Sequence, residues 1–350
     1  MRQILLKIIL PLAALCFGDA GLFAALNTPN LVLGRPTDTT ITFNVLADTN
    51  LVAYFEYGTQ STVYASQTPA TNLIANQPLE VDLTGLRTDT RYYYRLNYKL
   101  AGDPSYQTSP EYMFHTRRPP GSTFTFCMHG DTHPERVGNM FNADLYTNTL
   151  MHAAQEHPDF YLTIGDDFSV DNIPTNLINQ APVAQRYAIQ RPWLGLVGNS
   201  APLFLVNGNH EQACLVNYLS TDLVAPGVSS VTLSNIAVWA QTARHQYFPE
   251  PAADGFFYSG MPNDALPGIG PPRSCYAWTW GDALFVTLDP YWYSTNAVDN
   301  QYGEDKHPTQ NGWLITHGDA QYQWLKRTLE QSTAQYKVVF AHHVMGTGRG

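Results

Sequence analysis

Charge of either sign is scarce in this chain. Asp, Glu, Lys and Arg make up 14% of its 350 residues, against roughly 25% in an average soluble domain. The 19 basic residues are outnumbered by 29 acidic ones, a net of −10. No segment is a run of Lys and Arg, so nucleic-acid binding is not expected, because phosphate neutralisation supplies most of such affinity. An acidic protein that handles phosphate needs a local source of positive charge, and metal ions are the usual one. Cysteine is also rare, with four in all. Long apolar runs are missing apart from Ile8 to Phe17, which is too short to span a bilayer and is interrupted by Pro11. No stable membrane span is therefore expected. No internal repeat is present, and no Gly-x-Ser-x-Gly elbow occurs, which weakens a serine hydrolase reading. Against these absences stand 44% hydrophobic and 13% aromatic residues, including 21 Tyr. That content excludes disorder as a description of the whole.

The first residues look like an export signal. Arg2 and Lys7 precede the apolar run, and small residues follow as far as Ala24. We expect a signal peptide over residues 1–24, cut near Ala20 or Ala24, and hence an exported protein; a membrane anchor is the alternative. Cys16 leaves with the leader. Of Cys127, Cys214 and Cys275, a Cys214–Cys275 bridge is the favoured pair because Cys127 lies in an apolar strand; three buried thiols are the alternative.

The remainder divides into two textures. Residues 27–118 read as short strands, with Ile41, Phe43 and Val45 alternating with Thr40, Thr42 and Asn44. Tyr92 follows a corner at which its hydroxyl can bond back to the preceding backbone. A β-sandwich similar to fibronectin type III modules is expected, with a spacer or packing role. Arg117 to Gly121 marks a linker. Residues 122–350 alternate continuous apolar strands with helical stretches, which predicts an α/β layer architecture. The expected fold class is thus α+β in two domains. Residues 211–273 form a Pro- and Gly-rich insertion of the kind that often serves as a lid or binding element.

Polar residues gather where each apolar strand ends. After the first comes Gly130-Asp131-Thr132-His133, and after the second Gly165-Asp166-Asp167-Phe168-Ser169. Gly208-Asn209-His210-Glu211 follows the third, and His342-His343 the last. In open α/β sheets ligands sit beyond the carboxyl ends of strands, so these groups are expected to converge. The i, i+2 spacing of Asp131 and His133 would place both on one side of an extended segment, able to ligate one ion. Any single motif has an ordinary reading as a turn, a cap or a core histidine; their joint occurrence favours a metal site. Imidazole, carboxylate and amide oxygen suit Zn, Fe, Mn or Co rather than a thiolate-selective ion.

Together these motifs resemble those of the calcineurin-like metallophosphoesterases, which run D-x-H, G-D-x-x-D, G-N-H-D/E, a later His and G-H-x-H. The sandwich, with Phe55-Glu56-Tyr57-Gly58-Thr59, and the stretch from Tyr276 to Asp289 look like the purple acid phosphatase arrangement. The resemblance implies two metal ions (Fe, Zn or Mn). Asp131 and His133 would hold the first, Asp166 would bridge, and Asn209 and His342 would hold the second. His210 would act on the phosphate without ligating, stabilising charge or protonating the leaving oxygen. His343 would orient His342, and Glu211 would be structural. The implied activity is metal-dependent hydrolysis of a small phosphate ester by metal-bound hydroxide, foremost a phosphomonoester. Alternatives are a phosphodiesterase, a nucleotide hydrolase or an inactive surface binding protein. Three departures qualify it. No G-H-x-H occurs, so the catalytic domain is expected to be incomplete at its C-terminal end. Ser169 replaces the family's Asp and is not the Tyr of purple acid phosphatases, so a colourless protein is expected. Purple acid phosphatases usually lack a His where this chain has His133. Arg136, Arg273 and Arg349 could each approach an anionic substrate, although each is more often a surface residue.

Overall fold

The computed structural model describes residues 26–170, 173–174, 176–208, 210–211, 230–261, 270, 273–289 and 319–342. Asn209, Cys214, His343 and Arg349 lie outside these residues, as does the expected leader, so the Cys214–Cys275 pairing lies outside them too.

Nine strands come first. They are β1 (Asn30–Gly34), β2 (Ile41–Leu46), β3 (Leu51–Gly58), β4 (Ser66–Gln67), β5 (Thr71–Leu73), β6 (Leu79–Leu83), β7 (Arg91–Lys99), β8 (Gln107–Thr108) and β9 (Tyr112–His115). One sheet has the order β1-β2-β6, and the other β4-β3-β7-β8, with β5 on β3 and β9 on β7. Alternate residues of each turn inward, so Leu31, Leu33, Phe43 and Val45 meet Phe55, Tyr94, Leu96 and Phe114 in one core. Phe43 stacks on Tyr94 with ring centroids 4.6 Å apart. At the corner, Tyr92 Oη accepts from Arg87 N at 2.8 Å.

The polar positions of β2 do not face water. Thr42 and Asn44 are buried, because the outer face of the β1-β2-β6 sheet is covered by the second half of the chain. Val32 of β1 joins Leu194 and Val197 in a core built mostly from helices. The expected linker is likewise fixed on both sides. Arg117 N donates to Thr37 O, and Gly281 N donates to Arg118 O; the Arg118 guanidinium pairs with Asp159 at 2.6 Å.

The second half comprises β10 (Phe126–His129), α1 (Ala143–Gln155), β11 (Phe160–Thr163), α2 (Gln180–Gly198), β12 (Leu203–Leu205), α3 (Ser230–Tyr247), β13 (Ser259–Gly260), β14 (Tyr276–Trp280), β15 (Ala283–Thr287), α4 (Asp319–Gln331) and β16 (Tyr336–Phe340). Strands β10, β11 and β12 are parallel, with His129 opposite Thr163 and Thr163 opposite Leu205. One face of this sheet packs on the three helices α1, α2 and α3 through Leu150, Leu194 and Ala240. The other face meets a second sheet, ordered β13-β14-β15-β16. Between them lie Phe160, Leu162 and Phe204 against Trp278, Trp280, Phe285 and Phe340. Phe204 stacks on Trp278 at 4.0 Å. Helix α4 covers the far face of the second sheet through Trp324, Leu325 and Leu329.

The layers are therefore helix, sheet, sheet, helix. The expectation of four consecutive strand ends on one open sheet is corrected here: β16 belongs to the second sheet, parallel to β15. Its carboxyl end reaches the others from across the aromatic layer. Among the described residues, no helix is long and apolar enough to cross a membrane.

Candidate metal centre

The loops after β10 and β11 carry three non-glycine residues in the left-handed region. Their φ angles are 57° for Asp131, 45° for His133 and 60° for Asp166. Side chains with a Cβ seldom adopt such angles, and they persist where surrounding bonds enforce them. Those bonds are present: Asp131 N donates to Gly165 O at 2.9 Å, and His210 N donates to Asp166 Oδ1 at 3.0 Å. Two left-handed residues mean that residues 131–133 are not extended, contrary to the expectation from their i, i+2 spacing.

As a result, Asp131 and His133 point to different partners. One group of donor atoms comprises Asp131, Asp166 and His342, the other His133, Asp166 and His210, and within each the atoms lie within 4.8 Å of one another. Asp166 belongs to both. Its Oδ2 lies 3.3 Å from His342 Nε2, and 3.7 Å from both His133 Nε2 and His210 Nε2. His210 thus stands as near to Asp166 as His133 does. The two histidines differ in access, with 19% of the His210 side chain exposed against 5% for His133.

Close approach of the loops depends on glycine. A Cβ on Gly165 would stand 2.6 Å from Gly208 N and 2.8 Å from His342 Nδ1. One on Gly208 would collide with Asp166 Oδ1 and N. Glu211 then ties both loops together, its carboxylate accepting from Asp167 N and Gly208 N at 2.7 Å each.

Buried side chains hold the donors in turn. His342 Nδ1 lies 2.8 Å from Ile164 O, which leaves Nε2 for Asp166. His133 Nδ1 is 2.6 Å from Ser169 Oγ and 3.5 Å from Glu135 Oε1. Asp167 Oδ1 takes Thr132 Oγ1 at 2.8 Å and lies 3.1 Å from His129 Nε2, and Gln190 Nε2 donates to Thr132 Oγ1 at 2.5 Å. Of these supports, sequence reasoning missed Ser169 as a partner of His133, and Glu135, His129, Thr132 and Gln190 altogether. Gln190 lies on α2, far along the chain, with no local signal. Glu135 and His129 flank motif residues and were within reach.

The electrostatics follow from burial and crowding. Burial alone would raise the Asp166 carboxyl, but the hydrogen bond to His342, with the His342 and His210 charges, brings it down to about 2. Burial would lower His342, yet Asp166 lifts it to about 9. Burial, then the Asp166 and Asp167 charges, push Glu211 up to about 8. Burial and Asp166 also raise Asp131. So many convergent ligand atoms around one buried carboxylate suit a cation. The donor set fits this use, since imidazole nitrogens and carboxylate oxygens, with no thiolate in either group, match Zn, Fe or Mn.

No family profile and no curated protein matches the chain in sequence. Solved structures do resemble it, and the likeness is one of fold, shared with PhoD and with a purple acid phosphatase. The structure of PhoD matches with a TM-score of 0.59 at 17% identity, covering 89% of this chain and 61% of PhoD. A purple acid phosphatase from yellow lupin (Lupinus luteus) seeds matches at 0.56 and 17%, covering 91% of this chain and 52% of that one. The chain thus spans 61% and 52% of the length of these neighbours.

Proposed function

We propose that this chain is a metal-dependent phosphoric ester hydrolase, acting on a small phosphate ester and foremost on phosphomonoesters. The observation that carries this reading is the sharing of Asp166 between two groups of ligand atoms, Asp131 with His342 and His133 with His210. A shared carboxylate suits two cations about 3.5–4 Å apart, the spacing used to clamp phosphoryl oxygens. The name of the lupin purple acid phosphatase agrees with it. Bound metal ions would supply Lewis acidity towards the phosphoryl group and acidify the attacking water.

In this reading Asp131 and His342 would hold one ion and His133 the other, Asp166 would be available to both, and Asn209 would be a further ligand. His210 is the more open of the two histidines beside Asp166, so it meets the substrate. Arg136 can only donate, and its Nη2 lies 3.5 Å from His210 Nδ1. His210 Nε2 lies on the Asp166 side, 3.7 Å from Asp166 Oδ2, where a protonated ring nitrogen would hand its proton to the leaving oxygen. We include in this proposal export by the 1–24 leader, a fibronectin type III-like module over residues 27–118 and a catalytic domain over residues 122–350.

The test is elemental analysis of the purified protein with assays on a chromogenic phosphomonoester and diester. Two metal ions per chain are expected, with monoester hydrolysis the faster. Asp166→Asn should lose metal and at least about 100-fold in kcat/KM. No metal and no turnover in the wild type would leave a binding protein on a borrowed scaffold.

A further inference from the structure

Five carboxylates crowd the centre, from Asp131, Glu135, Asp166, Asp167 and Glu211, yet the substrate of the proposed reaction is an anion. Among the described residues, Arg136 is the one arginine that bonds a member of either ligand group. It ends a single 3-10 turn, Pro134–Arg136, that begins directly after His133. Its carbonyl accepts from Asn139 N, Met140 N and Phe141 N at 3.1–3.2 Å. Phe141 is buried against Tyr146 and Trp193. The backbone beneath the guanidinium is therefore fixed.

The guanidinium is held but not saturated. Nε faces Glu135 Oε1 at 3.3 Å, Nη1 faces the Met140 thioether at 3.3 Å, and Nη2 faces His210 Nδ1 at 3.5 Å. A thioether is a weak acceptor, and 3.5 Å is the outer limit of a hydrogen bond. Five N–H groups in a planar fork thus meet one carboxylate and two poor partners. The side chain is 22% exposed beside the 19% exposed His210, so both are in reach of solvent.

We propose that Arg136 binds the phosphoryl group of the substrate and biases the centre towards monoesters; this rests on the hydrolase reading above. A planar fork matches two phosphoryl oxygens, and its strength grows with the charge they carry. A monoester offers three non-bridging oxygens and close to two charges. A diester offers two oxygens and one charge, with an alkoxy group in place of the third oxygen. Losing the fork therefore costs the monoester more than the diester.

The experiment compares wild type with Arg136→Ala and Arg136→Gln, and with Arg91→Ala on the exposed face of the sandwich as control. It measures metal content, thermal midpoint, affinity of the metal-loaded protein for inorganic phosphate by calorimetry, and the ratio of monoester to diester kcat/KM. Each Arg136 variant should keep its metal, bind phosphate about 10- to 100-fold more weakly and lose several-fold in that ratio, while Arg91→Ala changes neither. Equal phosphate affinity and an unchanged ratio in a folded, metal-loaded Arg136 variant would overturn the proposal. Should Arg136→Ala fail to fold, the near-isosteric Arg136→Gln decides it. A wild type that hydrolyses neither ester sinks the hydrolase reading; the phosphate titration then stands alone. Binding lost with Arg136 supports the anion site, and no binding by the wild type overturns it.

Discussion

His245 lies at the seam between the two halves, with Arg35, Arg244 and Arg273 near it and its Nε2 without a hydrogen-bond partner among the described residues. Burial, then the three guanidinium charges, hold its pKa down to about 3. The unfolded chain takes up this proton near pH 6.5, whereas the folded chain resists it to about pH 3. Stability is thus lost as pH falls through that window, by about 1.4 kcal/mol per unit for this one group. Urea midpoints of His245→Gln should fall less steeply than wild type between pH 6.5 and 4.5, and parallel curves would refute the assignment. At this same scale the sequence makes the donors legible but not their grouping. Asp131, His133, Asp166, His210 and His342 stand out because each follows an apolar strand. That Asp131 groups with His342, and His133 with His210, around Asp166 depends on two positive φ angles. Neither position is glycine, and although Asp and His tolerate such angles better than most residues, the sequence does not announce them. Ser169 illustrates the opposite case, where a departure from a family pattern was visible and its consequence, a hydroxyl 2.6 Å from His133 Nδ1, was not.

Elements place these residues through contacts too tight for a methyl group. Gly208 follows β12 and lies against the backbone of Asp166 after β11. Gly208→Ala should cost about 1–3 kcal/mol by overpacking, and it should weaken metal binding because the displaced group is Asp166 itself. Thermal melts of the apo and metal-loaded protein separate the two effects; a melt unchanged in both forms would refute the close approach. The strands themselves were readable, for β11 is fully buried and begins Phe160-Tyr161-Leu162, as a central parallel strand should. The sheet to which β16 belongs was not readable. A run such as Tyr336–Phe340 specifies an extended segment and says nothing about which strand lies beside it. The environment of the polar face of β2 was not readable for a related reason. Alternation shows that two faces differ, but it cannot tell water from a partner that supplies hydrogen bonds.

At the scale of the whole molecule that partner is Arg191. Fully buried on α2, it donates through Nε to Asn30 Oδ1 at 2.8 Å, through Nη1 to Asn44 Oδ1 at 2.6 Å and to Tyr247 O, and through Nη2 to the carbonyls of Asn30 and Asn44. Burial lowers its pKa to about 9. These acceptors come from β1, β2 and α3, so one guanidinium joins the sandwich to two helices. Removing it leaves several carbonyl oxygens unpaired inside the molecule. Arg191→Ala is expected to lose about 3–5 kcal/mol, with both halves melting at lower temperature. Separate transitions, with the sandwich unaffected, would show instead that the halves are independent.

The position of His342 has a consequence for the molecule under load. Asp166 is carried by one sheet and His342 by the other, and the aromatic layer of Phe160, Phe204, Trp278 and Phe285 sets the distance between those sheets. In the proposed reading, an ion held by both residues would act as a rivet through two plates, with the rings as the spacer. Shaving a ring from the spacer changes the span that the rivet must cross. Changes at Phe204 or Trp278, remote from any ligand atom, would then register first as altered metal retention.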